Sequence, residues 1–241
     1  GGGLVVDGST ATAPFAEDFS SFTVNAGGSA IVAVGPNATV NVAAAPARAA
    51  GGQVHFQSIA GGTVNLAGVA ASSRIGSWAT YGSSLTAAPT ATDWAATDGA
   101  GNVVAFTGYT TDVFGATLHT DVASAGTTAA VTESVRFDAS AGTITGGALT
   151  LNDGGILITS NYGGTEPIGA GVAITTAASG TDLIIHNFAP AGVTIAGDIT
   201  GAQNVVFNGT GVTVLGGAND YTGATFVTGA STVEFDDVTR F

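Results

Sequence analysis

The chain has 241 residues, 45% of them hydrophobic and only 9% charged, with 38 glycines, no cysteine and no methionine. A disordered chain would be less apolar and more charged, and without cysteine neither a disulfide framework nor a thiolate metal site exists. Four arginines (Arg48, Arg74, Arg136, Arg240) and no lysine stand against 17 acidic residues, a net charge of -13, which excludes phosphate-neutralising contact with nucleic acid and attraction to an anionic membrane surface.

The acidity is dispersed and reads as solubility. The longest apolar runs, such as Ala43 to Ala50, fall far short of a membrane span, so no membrane insertion by this segment is expected. No positive n-region with an apolar h-region opens the sequence, and the absence of methionine reads as a processed chain or an excised fragment.

In chain order, Gly1 to Ser20 opens with a glycine-flexible lead into one short strand, Leu4-Val5-Val6. Pro14 to Phe19 follows as one helical turn or a loop. Residues 1–20 read as an N-terminal cap or a disordered lead; alternatively Leu4, Val5 and Val6 form a subunit-exchange strand that adds to a neighbour's edge. Phe22 to Gly68 carries a weak echo, Thr-Val-Asn at 23–25, 39–41 and 63–65, with the strands Ala30–Val34 and Gln53–Gln57 between. The intervals of 16 and 24 are irregular, as a β-solenoid with bulging loops tolerates. Ala43 to Ala50 is a helical turn broken by Pro46, or an excursion loop.

Residues 74–121 form an aromatic-rich insertion. Aromatic strands bracketing Asp-Gly turns predict a hairpin packed on the remaining structure, and Ser83 to Ala91, with Pro89, reads as an inserted loop. Trp78, Tyr81, Trp94 and Tyr109 are the candidate ligand or partner contacts, because aromatic faces stack on sugars and anchor protein interfaces. The alternative is that they close the core of the hairpin.

From Ser134 onward a regular pattern resumes, with apolar anchors near Ile174, Ile184, Ile195, Val206, Val214, Phe226 and Phe235. A Gly, Ser, Asn or Asp turn stands between each pair. Two or three strands per coil give roughly 20 to 30 residues per turn. Gly209 to Phe235 is the most informative stretch, with three short runs of β-branched residues alternating with Thr, separated by Gly and Asn corners.

Within it, Val214-Leu215-Gly216-Gly217-Ala218-Asn219-Asp220-Tyr221-Thr222-Gly223-Ala224-Thr225-Phe226-Val227 resembles the autotransporter-associated β-strand repeat. Ala224 stands where a second Gly is frequent, and Ser231-Thr232-Val233 replaces the usual ending. Two further segments resemble the same family: Ile75-Gly76-Ser77-Trp78-Ala79-Thr80-Tyr81-Gly82 with the Asp93-Trp94 stretch, and Leu151-Asn152-Asp153-Gly154-Gly155-Ile156-Leu157-Ile158. The resemblance implies a passenger-type right-handed β-solenoid outside a bacterial cell; it does not imply an enzyme.

The chemistry-bearing residues point the same way. His55, His119 and His186 stand in no metal-binding spacing. The pairs Glu17-Asp18 and Asp236-Asp237 put neighbours on opposite faces of a strand. No nucleophile elbow and no phosphate-cradling glycine loop is present, and Gly216 to Asp220 is an isolated near-match to calcium-binding β-rolls. Neither catalytic nor metal residues nor a cofactor are expected.

The expectation is therefore an all-β protein, a right-handed parallel β-helix or β-solenoid with a β-hairpin insertion, as one elongated domain over 1–241. Its expected role is that of an extracellular or cell-surface structural protein: a self-assembling fibre subunit joining head to tail, or an autotransporter-like passenger. The alternatives are an adhesin module that binds surface glycans and a β-helix polysaccharide lyase or hydrolase.

Overall fold

The structure, a computed structural model, describes residues 2–82, 93–178 and 180–236; the expected loop at Ser83 to Ala91 lies outside them. Among the described residues every regular element is a strand, and parallel sheets stack as a β-solenoid of about 10 turns. Short runs of Val, Ile and Thr between glycine corners account for this, since a corner every few residues leaves no room for a helix to nucleate. The chain divides into two units, Gly1–Thr107 and Gly108–Phe241.

The first unit contains β1 (Gly3–Asp7), β2 (Phe15–Phe19), β3 (Thr23–Val24), β4 (Gly27–Val34), β5 (Ala38–Val42), β6 (Ala47–Arg48), β7 (Gly52–Ile59), β8 (Thr63–Leu66), β9 (Ala79–Gly82), β10 (Asp93–Thr97) and β11 (Val103–Ala105). One sheet runs β1-β4-β7-β9-β10-β11, a second β2-β5-β8, and β3 pairs β6. Gly3, Ala30, His55 and Thr80 share one file, so a coil spans 25 to 27 residues. Val40, Val64, Leu66, Phe56 and Ala79 are fully buried between the sheets.

The second unit contains β12 (Tyr109–Thr111), β13 (His119–Asp121), β14 (Thr127–Phe137), β15 (Ile144–Ile158), β16 (Ala173–Thr176), β17 (Leu183–Asn187), β18 (Val193–Ile195), β19 (Asp198–Ile199), β20 (Val205–Gly209), β21 (Val212–Leu215), β22 (Thr225–Val227) and β23 (Thr232–Phe235). Its main path is β12-β13-β14-β15-β17-β20-β22, and β18-β21-β23 forms another face. β15 turns a corner within one strand: Ala148–Leu151 pairs with β16, and Gly155–Ile158 with β17. Ser134, Gly155, Ile184, Val206 and Phe226 form one file, giving coils of 20 to 29 residues.

Three local expectations meet a different outcome. Pro14 to Phe19 is neither a helical turn nor a loop: Phe15–Phe19 is a strand, aligned residue for residue on Ala38–Val42. The Thr-Val-Asn echo is half a coil signal. Thr39 and Asn41 stand directly beside Thr63 and Asn65, one coil apart, whereas Thr23 and Val24 pair with β6. The anchors Ile184 and Val206 sit opposite the core-facing Leu183, Ile185, Val205 and Phe207, and are buried nonetheless, so β17 and β20 are covered on both faces.

The hairpin is present as antiparallel pairs β9/β10 and β10/β11 at the end of the first unit's main sheet. Antiparallel pairing stops at Ala105. Tyr109 and His119 to Asp121 already belong to the parallel sheet of the second unit.

Candidate functional site

The aromatic set divides between the units. Trp94 on β10 stands beside Thr80 and is fully buried, with the Arg74 guanidinium 5.1 Å from its ring centroid. Tyr81 lies in file with Phe56, and both Tyr81 and Trp78 pack half-buried on the core. The β10–β11 turn is pinned by Asp98, whose Oδ1 accepts from the Ala100 and Asn102 backbone at 2.8 and 2.9 Å, while the Asn102 side chain donates to Oδ2 at 3.0 Å. These bonds hold the Asp98 carboxyl below its usual range, the Asn102 side chain contributing most.

Tyr109 lies on β12 in the second unit, capped by the Arg136 guanidinium at 3.8 Å from its centroid. Arg136 Nε also donates to Asp121 Oδ1 at 2.9 Å. Cation–π stacking and an ion pair together tie β12, β13 and β14 across one face. The four aromatics thus serve at least as packing and clamping residues where they stand: the structure brings Trp78, Tyr81 and Trp94 into one unit and places Tyr109 in the other.

The histidines are engaged separately. His55 Nδ1 meets Thr80 Oγ1 at 2.9 Å and is held neutral by burial, its pKa lowered to about 4. The Nδ1 atom of His186 contacts Asn208 Nδ2 at 2.9 Å, and its ring stacks on Phe188. His119 Nδ1 lies 2.9 Å from Ser134 Oγ, a pair that sequence reasoning missed because their separation of 15 positions is one short coil. Ser134 is fully buried, so a substrate carbonyl has no approach to its hydroxyl. The Tyr162 phenol is likewise buried, and its pKa is raised to about 12 by desolvation and the Glu166 charge. Among the described residues no group of three or more His, Asp or Glu could hold a metal ion.

Among the described residues, exposed apolar side chains gather in the first and last coils, with Val113, 53% exposed, the largest exception. Leu4 is half-buried, Val5 is 61% exposed and Val6 is buried, all on β1, which among the described residues pairs only with β4. Among the described residues β2 pairs only with β5, and its five residues are all exposed. Phe15, Glu17 and Phe19 continue files whose next members, Ala38, Val40 and Val42, are buried. An open cavity of about 310 Å³ enters the first coil between Leu4, Phe19, Phe22, Ile31, Val40 and Val54.

The last coil of the second unit behaves alike. Val227 extends the fully buried file Val135, Ile156, Ile185 and Phe207, yet is 54% exposed; Phe235 extends the file of Ile195 and Leu215 and is 44% exposed. Phe15 and Phe19 were not singled out from the sequence, and Glu17 only as half of an acidic pair. Their signal, an apolar residue at alternate positions of Phe-Ala-Glu-Asp-Phe, is short and broken by the acid. No protein-family model, curated protein or solved structure matches the chain.

Proposed function

We propose that the chain is an extracellular structural protein of passenger type, a subunit that joins head to tail into a surface fibre. The observation that carries this reading is the pair of terminal coils. Among the described residues β1, β2, β22 and β23 each have a neighbour on one side only, and core-facing apolar residues are left uncovered at both ends. An unpaired parallel edge is a template for another strand. Docking of unlike ends that does not close into a ring produces a filament. The backbone ladder then supplies the cohesion, and no side-chain chemistry is required.

Electron microscopy over a concentration series tests it. The expected result is filaments whose axial repeat equals one subunit, with a threshold concentration. Particles that stay single at every concentration would retire the fibre reading.

A further inference from the structure

Val24, Val40, Val42 and Val54 are each 2% exposed or less, yet all four line the open cavity of about 310 Å³. A core packed to ordinary density leaves no such space. The only polar side chains in its lining are those of Thr23 and Ser29. Water inside would find few partners, and a dry apolar cavity of about 150 Å³ already takes up a molecule the size of benzene.

Leu4 and Phe19 also line a second open cavity, of about 290 Å³, whose walls include Asp7 and Glu17. Hydrogen bonds from Ser9, its side chain first and its backbone amide at 2.8 Å second, hold the Asp7 carboxyl below its usual range, so it stays ionised. Glu17 lies in file with the fully buried Val40, which carries its carboxylate toward the apolar side of β2. No base lines either space. Lysine is absent from the chain, and Arg48, beside Val24 on the neighbouring strand, has its Nε on the Gly52 carbonyl at 2.9 Å.

We propose that the two adjoining spaces form one binding site for a small amphipathic cation, an alkylammonium or arylammonium. The hydrocarbon part enters between Phe19, Phe22, Ile31 and Val54, and the ammonium stays in the second space with Asp7 and Glu17. A carboxylate on the same tail is repelled by both acids. A neutral alcohol gains the burial of the tail without the charge attraction. The site is independent of the fibre reading, because its walls belong to β1–β5, β7 and the turns beside them.

The test is calorimetric titration of the full chain, at concentrations where it is unassembled, with n-hexylammonium, hexanol and hexanoate as probes. Hexylammonium is expected to bind tightest and hexanoate weakest. Glu17→Gln, at an exposed position, should weaken hexylammonium about fivefold, the scale of one exposed charge contact, and leave hexanol unchanged. Ser29→Ile, which fills the cavity, should abolish binding of both in a chain whose circular dichroism is unaltered. Should that variant fail to fold, Phe19→Ala, at an exposed side chain, is expected to weaken both probes alike. Equal affinity for the three probes, or a Glu17→Gln chain that binds hexylammonium as tightly as the wild type, would overturn the proposal. So would the failure of all three to bind, and neither result touches the fibre reading.

Discussion

His55 shows how much a single side chain decides in a chain with few charges. Its ring is about 5% exposed, and burial lowers its pKa to about 4 from an ordinary 6.5. As the pH falls from 6.5 to 4 the unfolded chain therefore binds a proton that the folded chain refuses. Stability is full above pH 6.5 and falls as the pH drops through that window. The loss by pH 4 is about 3 kcal/mol. Urea denaturation of the first unit at pH 7 and pH 4.5 checks this. His55→Gln should remove most of the difference between the two, and an unchanged difference would place the acid sensitivity elsewhere.

At the scale of the strand and its corner, Asn187 closes β17. Its Nδ2 donates to the Val212 carbonyl at 2.9 Å and to Thr213 Oγ1 at 3.0 Å, its Oδ1 accepts from the Ala189 backbone, and the residue is fully buried. Beside it Gly209 has φ +118°, and a Cβ there would strike the Asn187 carbonyl, so only glycine fits. Asn187→Ala strands buried donors and acceptors without partners, at about 2–3 kcal/mol. Hydrogen exchange should accelerate over residues 183–215, and uniform protection there would refute the role.

The corners were the legible part of this architecture. Glycine and asparagine mark them in the sequence, and the 24-residue Thr-Val-Asn interval equals a coil because Thr39 and Thr63 truly neighbour each other. Phe15–Phe19 was not legible, since Glu17 and Asp18 break its pattern and its strand geometry comes from alignment on Ala38–Val42. Nor does the sequence mark where antiparallel pairing yields to parallel between Ala105 and Tyr109. The His119–Ser134 contact depends on a coil length that differs from its neighbours, and so has no signature in spacing.

For the whole molecule, the dominant quantity is a net charge of -13. Copies approaching end to end repel, and the repulsion is screened over about 8 Å at physiological ionic strength. On the fibre reading proposed above, assembly should therefore need a higher protein concentration at low salt than at about 0.15 M. Light scattering at fixed protein and rising salt measures it, and assembly that weakens steadily with salt would show that attraction between unlike charges outweighs the general repulsion.

The way the arginines are tied down has a consequence for proteolysis. A trypsin-like protease must draw a basic side chain into its specificity pocket, and this chain offers no lysine at all. Arg48 is bound to a carbonyl, Arg74 lies over Trp94 and Arg136 is clamped by Asp121 and Tyr109. Cutting at any of the three first requires pulling a side chain out of a packed coil, so digestion there waits on local unfolding. Arg240, the remaining basic residue, lies outside the described residues.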